Sequence, residues 1–181
     1  MAGVYVSYPF CAQKCTYCNF ASGVFPRDLE ARYLEALQAE LSAIHWPWIP
    51  QTVYLGGGTP STLSSDQLRQ TFSAVRNNFD VQPDSEITVE CAPGTLSPKM
   101  IDTLLACRVN RVSLGVQSFI DKEAAAVGRL HTRAQTLADI DNLRASGINT
   151  STSISLPDCR IRRRQVGVSP YSRWLRPLCC M

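Results

Sequence analysis

Short strand-like runs alternate with stretches of helical spacing along most of the chain, and no other feature narrows its fold as much. Such alternation favours a parallel sheet with helical crossovers over a sandwich or a bundle. Residues 3–8 read as the first strand. Residues 28–44 carry apolar side chains at Leu29, Tyr33, Leu34, Leu37, Leu41 and Ile44, a three-and-four spacing that makes a helix, stopped by Pro47. A strand at 52–55 runs through Gly56-Gly57-Gly58-Thr59-Pro60 into a helix beginning near Ser64 or Ser65. Further strands are expected at 86–91 and 111–116, a helix at 98–107 behind the cap Ser97, and a helix at 132–146 closed by Gly147. A fifth strand opens at Ile148. Four βα units and the start of a fifth make an α/β fold that resembles an unfinished parallel barrel.

At 181 residues and 45% apolar, the chain can fill one globular core and is too short for two ordinary domains. No apolar run approaches the roughly 20 residues that cross a bilayer, and no basic leader follows Met1, so a cytoplasmic protein without a membrane span is expected. The net charge of +3 is unevenly placed: residues 157–181 hold six Arg and one Asp, leaving twelve bases against fourteen acids upstream. A nucleic-acid surface is not expected from that balance. Eight cysteines would suit a disulfide scaffold in a small secreted chain, but three fall within eight residues and two are adjacent at the end, so reduced thiols are expected.

The three clustered cysteines carry the chemistry. Cys11-Ala12-Gln13-Lys14-Cys15-Thr16-Tyr17-Cys18 follows the first strand directly, at the strand end where α/β barrels keep their sites. A four-thiolate zinc site wants a second pair at short spacing, whereas the next cysteines, Cys91 and Cys107, fall on a strand and a helix and read as small buried hydrophobes. Three thiolates can hold three irons of a cubane cluster and leave the fourth open to an outside ligand. A non-catalytic zinc module remains the reading from another class. Gly56, Gly57 and Gly58, one βα unit later, let backbone approach a ligand closely.

Cys-x3-Cys-x2-Cys with an aromatic before the third cysteine resembles the cluster loop of radical S-adenosylmethionine (SAM) enzymes. Further segments follow in order: Tyr5-Val6-Ser7-Tyr8-Pro9-Phe10-Cys11, Gly56-Gly57-Gly58-Thr59-Pro60-Ser61, Glu86-Ile87-Thr88-Val89-Glu90, Asn110 to Phe119, and Gly128-Arg129-Leu130-His131-Thr132. They are similar to successive signatures of the oxygen-independent coproporphyrinogen III oxidase family, which includes a haem-chaperone branch, HemW. The resemblance covers about residues 2 to 150 and implies an incomplete radical SAM barrel, TIM-like in plan. It implies that Cys11, Cys15 and Cys18 hold a [4Fe-4S] cluster whose open iron is chelated by SAM, with Tyr5 and Tyr17 flanking both. Gly57 and Gly58 would meet the methionyl end of SAM, and Glu90 its ribose hydroxyls. In the oxidase branch a second SAM is implied at Tyr17, Gly58, Thr59, Gln117 and Arg129. His131 matches a family position as well and reads equally as a cap or a surface residue. The implied partners are SAM, an electron donor such as flavodoxin or ferredoxin, and porphyrin or haem held by a C-terminal part of the full-length chaperone.

Ser7 stands where the family usually has His. Phe20 stands where oxidases usually carry a further Cys, and only ten residues precede Cys11; both features point to the chaperone branch over the oxidase that decarboxylates coproporphyrinogen III. The largest departure is at the fifth strand. With suitable synonymous codons, Ser151 to Arg163 read from the third base gives Asp-Ile-Asp-Leu-Ile-Ala-Gly-Leu-Pro-Asp-Gln-Thr, which is similar to the family's next motif. The expectation is therefore a barrel fragment over residues 1–156 and a disordered, out-of-frame tail over 157–181, with a SAM-binding Asp lost near Ile154. Little or no SAM cleavage is expected of such a fragment.

Overall fold

A computed structural model of the chain describes residues 2–153, with side chains as far as Asn149. The arginine-rich tail and the position near Ile154 lie outside the described residues. Five strands, β1 (Gly3–Tyr8), β2 (Thr52–Gly57), β3 (Glu86–Cys91), β4 (Arg111–Gly115) and β5 (Asn149–Ser153), pair in parallel in the order of the chain. The connections carry α1 (Arg27–Ala43), a 3-10 turn at Pro60–Thr62, α2 (Ser65–Asn78), α3 (Pro98–Ala106), α4 (Asp121–Ala126) and α5 (Arg133–Ala145). A doubly wound sheet reverses its strand order at a switch point, and this one does not. Each crossover steps the same way, which makes the sheet an arc of a parallel barrel with its helices on one face.

Strand alternation assigns the faces. Val6, Tyr8, Val53, Leu55, Ile87, Val89, Val112 and Leu114 are buried on one side. Onto them pack Leu34 and Leu41 of α1, Leu68, Phe72 and Val75 of α2, Met100, Ile101 and Leu104 of α3, and Ile140 and Leu143 of α5, in one continuous core. The alternate positions, Tyr5, Tyr54, Glu86, Thr88, Glu90, Arg111 and Ser113, form a polar second face. Side-chain caps set where helices begin: Ser64 with Gln67, and Thr132 with Gln135, each make the reciprocal capping box, and Ser97 accepts from the Met100 amide.

The expected helices and the start of β5 fall within a residue of the sequence reading, and three other features differ from it. β2 runs on to Gly57 because Ser7 and Tyr8 pair with Gly56 and Gly57 and keep the glycines in the ladder. β4 stops at Gly115, since the chain turns left-handed at Gln117 (φ 64°). The six-residue α4 escapes a reading based on period because it is under two turns long. Among the described residues no helix is long and apolar enough to cross a membrane.

Candidate metal and cofactor site

At the C-terminal ends of the strands a cavity of about 580 Å³ opens, within the size range of small-molecule and cofactor sites. Its walls include all three thiols of the loop after β1, Cys11, Cys15 and Cys18, together with Tyr17. Backbone hydrogen bonds fix this loop at intervals. The Cys11 amide donates to the Gly23 carbonyl (2.8 Å), the Thr16 amide to Val127 behind α4 (3.4 Å), and the Cys18 amide to Cys15 (3.1 Å). The Cys15 thiol reaches the Gly128 carbonyl at 3.9 Å, and the Cys18 thiol lies 3.7 Å from the Ser22 hydroxyl. The overlooked α4 is thus one of the walls that hold the loop.

The donor set can be tested against the groups it would hold. Among the described residues, no three His, Cys, Asp or Glu side chains converge on a point as a single metal ion requires. A cubane cluster takes one thiolate at each of several corners, so it needs thiols spread around a shared volume. Three soft ligands lining one cavity fit that need. Tyr17 stands between two of these thiols; burial, and then the neighbouring Cys15 and Cys18, push its hydroxyl up to about 12 against the pull of the Arg129 guanidinium. It is a neutral aromatic wall at any ordinary pH.

Opposite the loop stands Glu90, the penultimate residue of β3. Its carboxylate accepts from the Tyr54 hydroxyl (2.7 Å) and from the Gly57 amide (2.9 Å), which fixes its plane and leaves acceptor capacity toward the cavity. Gly57 has φ 112°, which a side chain would strain. Gly58 is bare for a different reason: a Cβ there would lie 2.4 Å from the Phe10 carbonyl oxygen. The Gly58 amide donates to Tyr8 (2.7 Å) and the Thr59 amide to Phe10 (2.8 Å), stitching the end of β2 to the entrance of the cysteine loop. Three successive N–H groups are therefore spent inside the protein. What this turn can offer a ligand is carbonyl oxygen, which suits a cation such as an ammonium group.

The structure brings Cys11, Cys15, Cys18, Tyr17, Gly57, Gly58, Thr59, Glu90, Gln117 and Arg129 to the one cavity. Tyr5 is not among its walls. It is 59% exposed and stacks on Tyr54, ring centroids 5.6 Å apart, on the outer strand of the arc. His131, read as a cap or surface residue, is instead buried, with Nε2 3.1 Å from the Val116 carbonyl oxygen. Cys91 and Cys107 are buried as expected, and burial raises both thiols; Cys91 also backs the cavity. Tyr54 and Ser113 line the site without having been singled out. Their signal was the period of two, which places them on the face that carries Glu90.

Fold and site together define a class: a parallel α/β barrel arc that presents a three-cysteine loop at its strand ends. The chain belongs to the Radical SAM superfamily, whose family profile matches residues 5–158. It is 36% identical to the heme chaperone HemW of Lactococcus lactis subsp. lactis over 148 residues, covering 82% of this chain and 39% of that protein. It is also 36% identical to the oxygen-independent coproporphyrinogen III oxidase of Bradyrhizobium diazoefficiens over 152 residues, covering 81% of this chain and 34% of that one. Among solved structures, coproporphyrinogen III oxidase (HemN) from Escherichia coli superposes with a TM-score of 0.77 at 29% identity over 83% of this chain and 36% of its own. The chain thus spans under two fifths of the length of the relatives just named. Membership implies a [4Fe-4S] cluster and SAM.

Proposed function

We propose that this chain is the cluster- and SAM-binding part of a HemW-like haem chaperone. The observation that carries the reading is the convergence of Cys11, Cys15 and Cys18 on the cavity that also holds the anchored carboxylate of Glu90. A [4Fe-4S] cluster held by Cys11, Cys15 and Cys18 would supply one-electron reduction of the sulfonium of SAM. Cys11, Cys15 and Cys18 hold the cluster, and the tethered loop keeps their spacing. The carbonyls after β2 receive the ammonium of SAM, and Glu90, held by Tyr54 and Gly57, receives its ribose hydroxyls. Tyr17 excludes water from the metal side. Arg129, a cavity-wall cation near Tyr17, pairs a carboxylate.

Equal identity to a chaperone and an oxidase cannot choose between them, so the choice rests on Phe20. It occupies the position two after Cys18 where the oxidase branch usually has another Cys, and it lines the cavity. Haem carriage by the whole protein, with an electron donor such as flavodoxin or ferredoxin, belongs to this reading. Oxidative decarboxylation of coproporphyrinogen III with a second SAM at Tyr17, Gly58, Thr59, Gln117 and Arg129 belongs to the alternative.

Anaerobic reconstitution with iron and sulfide tests the proposal. A brown protein whose reduced EPR signal shifts on addition of SAM is the expected result. A colourless protein that retains zinc instead would overturn it. Haem retained on gel filtration by the protein carrying its C-terminal part, without turnover of coproporphyrinogen, would select the chaperone; turnover would select the oxidase.

A further inference from the structure

The end of β4 meets the segment after α4 through two contacts, and each sits behind a polar side chain of the cavity wall. A Cβ on Gly115 would lie 2.9 Å from Nη2 of Arg129, and its next neighbours, Cζ of Arg129 and the Cys91 carbonyl oxygen, are each 3.8 Å away. Gly115 is absent from the left-handed glycines, so its backbone does not require a missing side chain. The guanidinium resting on its bare α-carbon does. One residue further on, the Val116 carbonyl oxygen lies 3.1 Å from Nε2 of the buried His131. A carbonyl only accepts, so Nε2 carries the proton, and burial, which lowers the His131 pKa, favours the neutral ring. That carbonyl belongs to the peptide plane on which φ of Gln117 turns, and this φ is 64°, a region that residues with side chains seldom enter.

We propose that Gly115 and His131 are positioning residues that fix Arg129 and Gln117, respectively, against bound SAM. Gly115 does so by leaving room for the guanidinium, and His131 by holding the carbonyl that precedes the left-handed Gln117. Both target side chains line the cavity, whereas His131 does not, so its action must pass through the backbone. The inference rests on SAM lying against Arg129 and Gln117, residues that the oxidase alternative gives to a second SAM, and goes beyond it by assigning roles to Gly115, whose backbone itself lines the cavity, and to His131, which does not line it.

The test uses the whole 181-residue chain, reconstituted anaerobically and left unreduced, with SAM binding followed by calorimetry and folding by thermal melting. In Gly115→Ala only the flexible end of Arg129 has to move, so the melting temperature stays at the wild-type value. Loss of a hydrogen bond to a charged group should raise the Kd for SAM roughly tenfold. Arg129→Ala should raise it by the same factor, and the double variant should be no weaker than Arg129→Ala alone. His131→Gln, whose amide nitrogen can donate in place of Nε2, should bind SAM nearly as wild type does. His131→Leu should bind as weakly as Gln117→Ala, with no further loss on combining them.

Unchanged affinity in Gly115→Ala beside a weakened Arg129→Ala overturns the proposal and leaves the SAM reading intact. Additive losses in the Gly115/Arg129 pair overturn it too, since Gly115 would then act independently. If His131→Leu does not fold, the Gly115 cycle and His131→Gln still decide. Wild-type affinity in both Arg129→Ala and Gln117→Ala, or no binding by the wild-type chain, removes the SAM contacts themselves and the proposal with them.

Discussion

Val89 and Glu90 are neighbours in β3, and they face opposite sides of the same sheet. Val89 is fully buried beneath the helices among aliphatic side chains. Glu90 faces the cavity and is held by a phenol and an amide. The same division runs through β2, where Val53 and Leu55 are buried around Tyr54, and through β4, where Val112 and Leu114 flank Ser113. A closed barrel would hide both faces, whereas on this arc the second face is buried at Thr88 and half-buried at Tyr54, Glu90 and Ser113. Cohesion therefore resides on the apolar face, and the polar face is free to be specified by chemistry. The Glu86–Arg111 pair (2.8 Å), with the buried Thr88 donating to the same carboxylate oxygen, shows that the polar side is organised.

This division predicts that substitutions one residue apart fail in different assays. The largest effect belongs to the thiols. Replacing Cys11, Cys15 or Cys18 by Ser should abolish stable cluster incorporation, read as iron and sulfide content after reconstitution, while the melting temperature of the metal-free protein stays unchanged. Retention of the full iron content by all three variants would break the link between the polar side and metal binding. On the other face, Leu104→Ala empties a site with no solvent exposure and should cost about 2–5 kcal/mol in urea unfolding. A cost under about 1 kcal/mol would mean that α3 packs far more loosely than a native core does. Between these, Glu90→Gln presents an amide NH2 to one of the two donors that now meet a carboxylate. SAM affinity should fall roughly tenfold, as for a lost charge-assisted hydrogen bond. Stability should change little, and calorimetry beside a melting curve separates the two.

How far the sequence reached depended on which kind of order a residue obeys. β1 and β3 were read with the bounds they have, because each is a short run between clear breakers and pairs along its whole length. Ser97 and the Ser64 region were legible as helix starts because capping is local chemistry. The cavity walls were legible where a motif named them. Tyr54 carries no motif and Ser113 lies within a family segment that gives it no role, so only the alternation of β2 and β4 reveals them. Tyr5 shares the polar face, yet β1 lies at the rim of the arc, so it stacks on Tyr54 beside the cavity; strand order cannot be read from one residue's chemistry. The glycine turn was expected to serve a ligand directly. Its bare positions and amides also serve the cysteine loop and Glu90, tertiary contacts between segments more than thirty residues apart.

One carboxylate breaks the rule of the apolar side, and it gives the smallest and sharpest test of the comparison. Asp139 of α5 is the one buried acidic residue among those described, and its Oδ2 accepts from the Gly94 amide at 2.6 Å. Burial raises its pKa above 3.8, and the Gly94 hydrogen bond opposes that shift without cancelling it. Above pH 3.8 the unfolded chain has released this proton while the native protein still holds it, so stability falls as pH rises through the window that ends at the raised value. Asp139→Asn keeps a side-chain oxygen for the Gly94 amide and has no proton to lose. Other carboxylates titrate in the same range, so the informative quantity is the difference between variant and wild type in urea midpoint, followed upward from pH 3.8. That difference should move in favour of the variant as pH rises and then level off. If it is flat, Asp139 titrates alike in the folded and unfolded chains. The helix-covered face would then admit enough water to solvate a charge, and the contrast between the two faces would be one of shape and not of polarity.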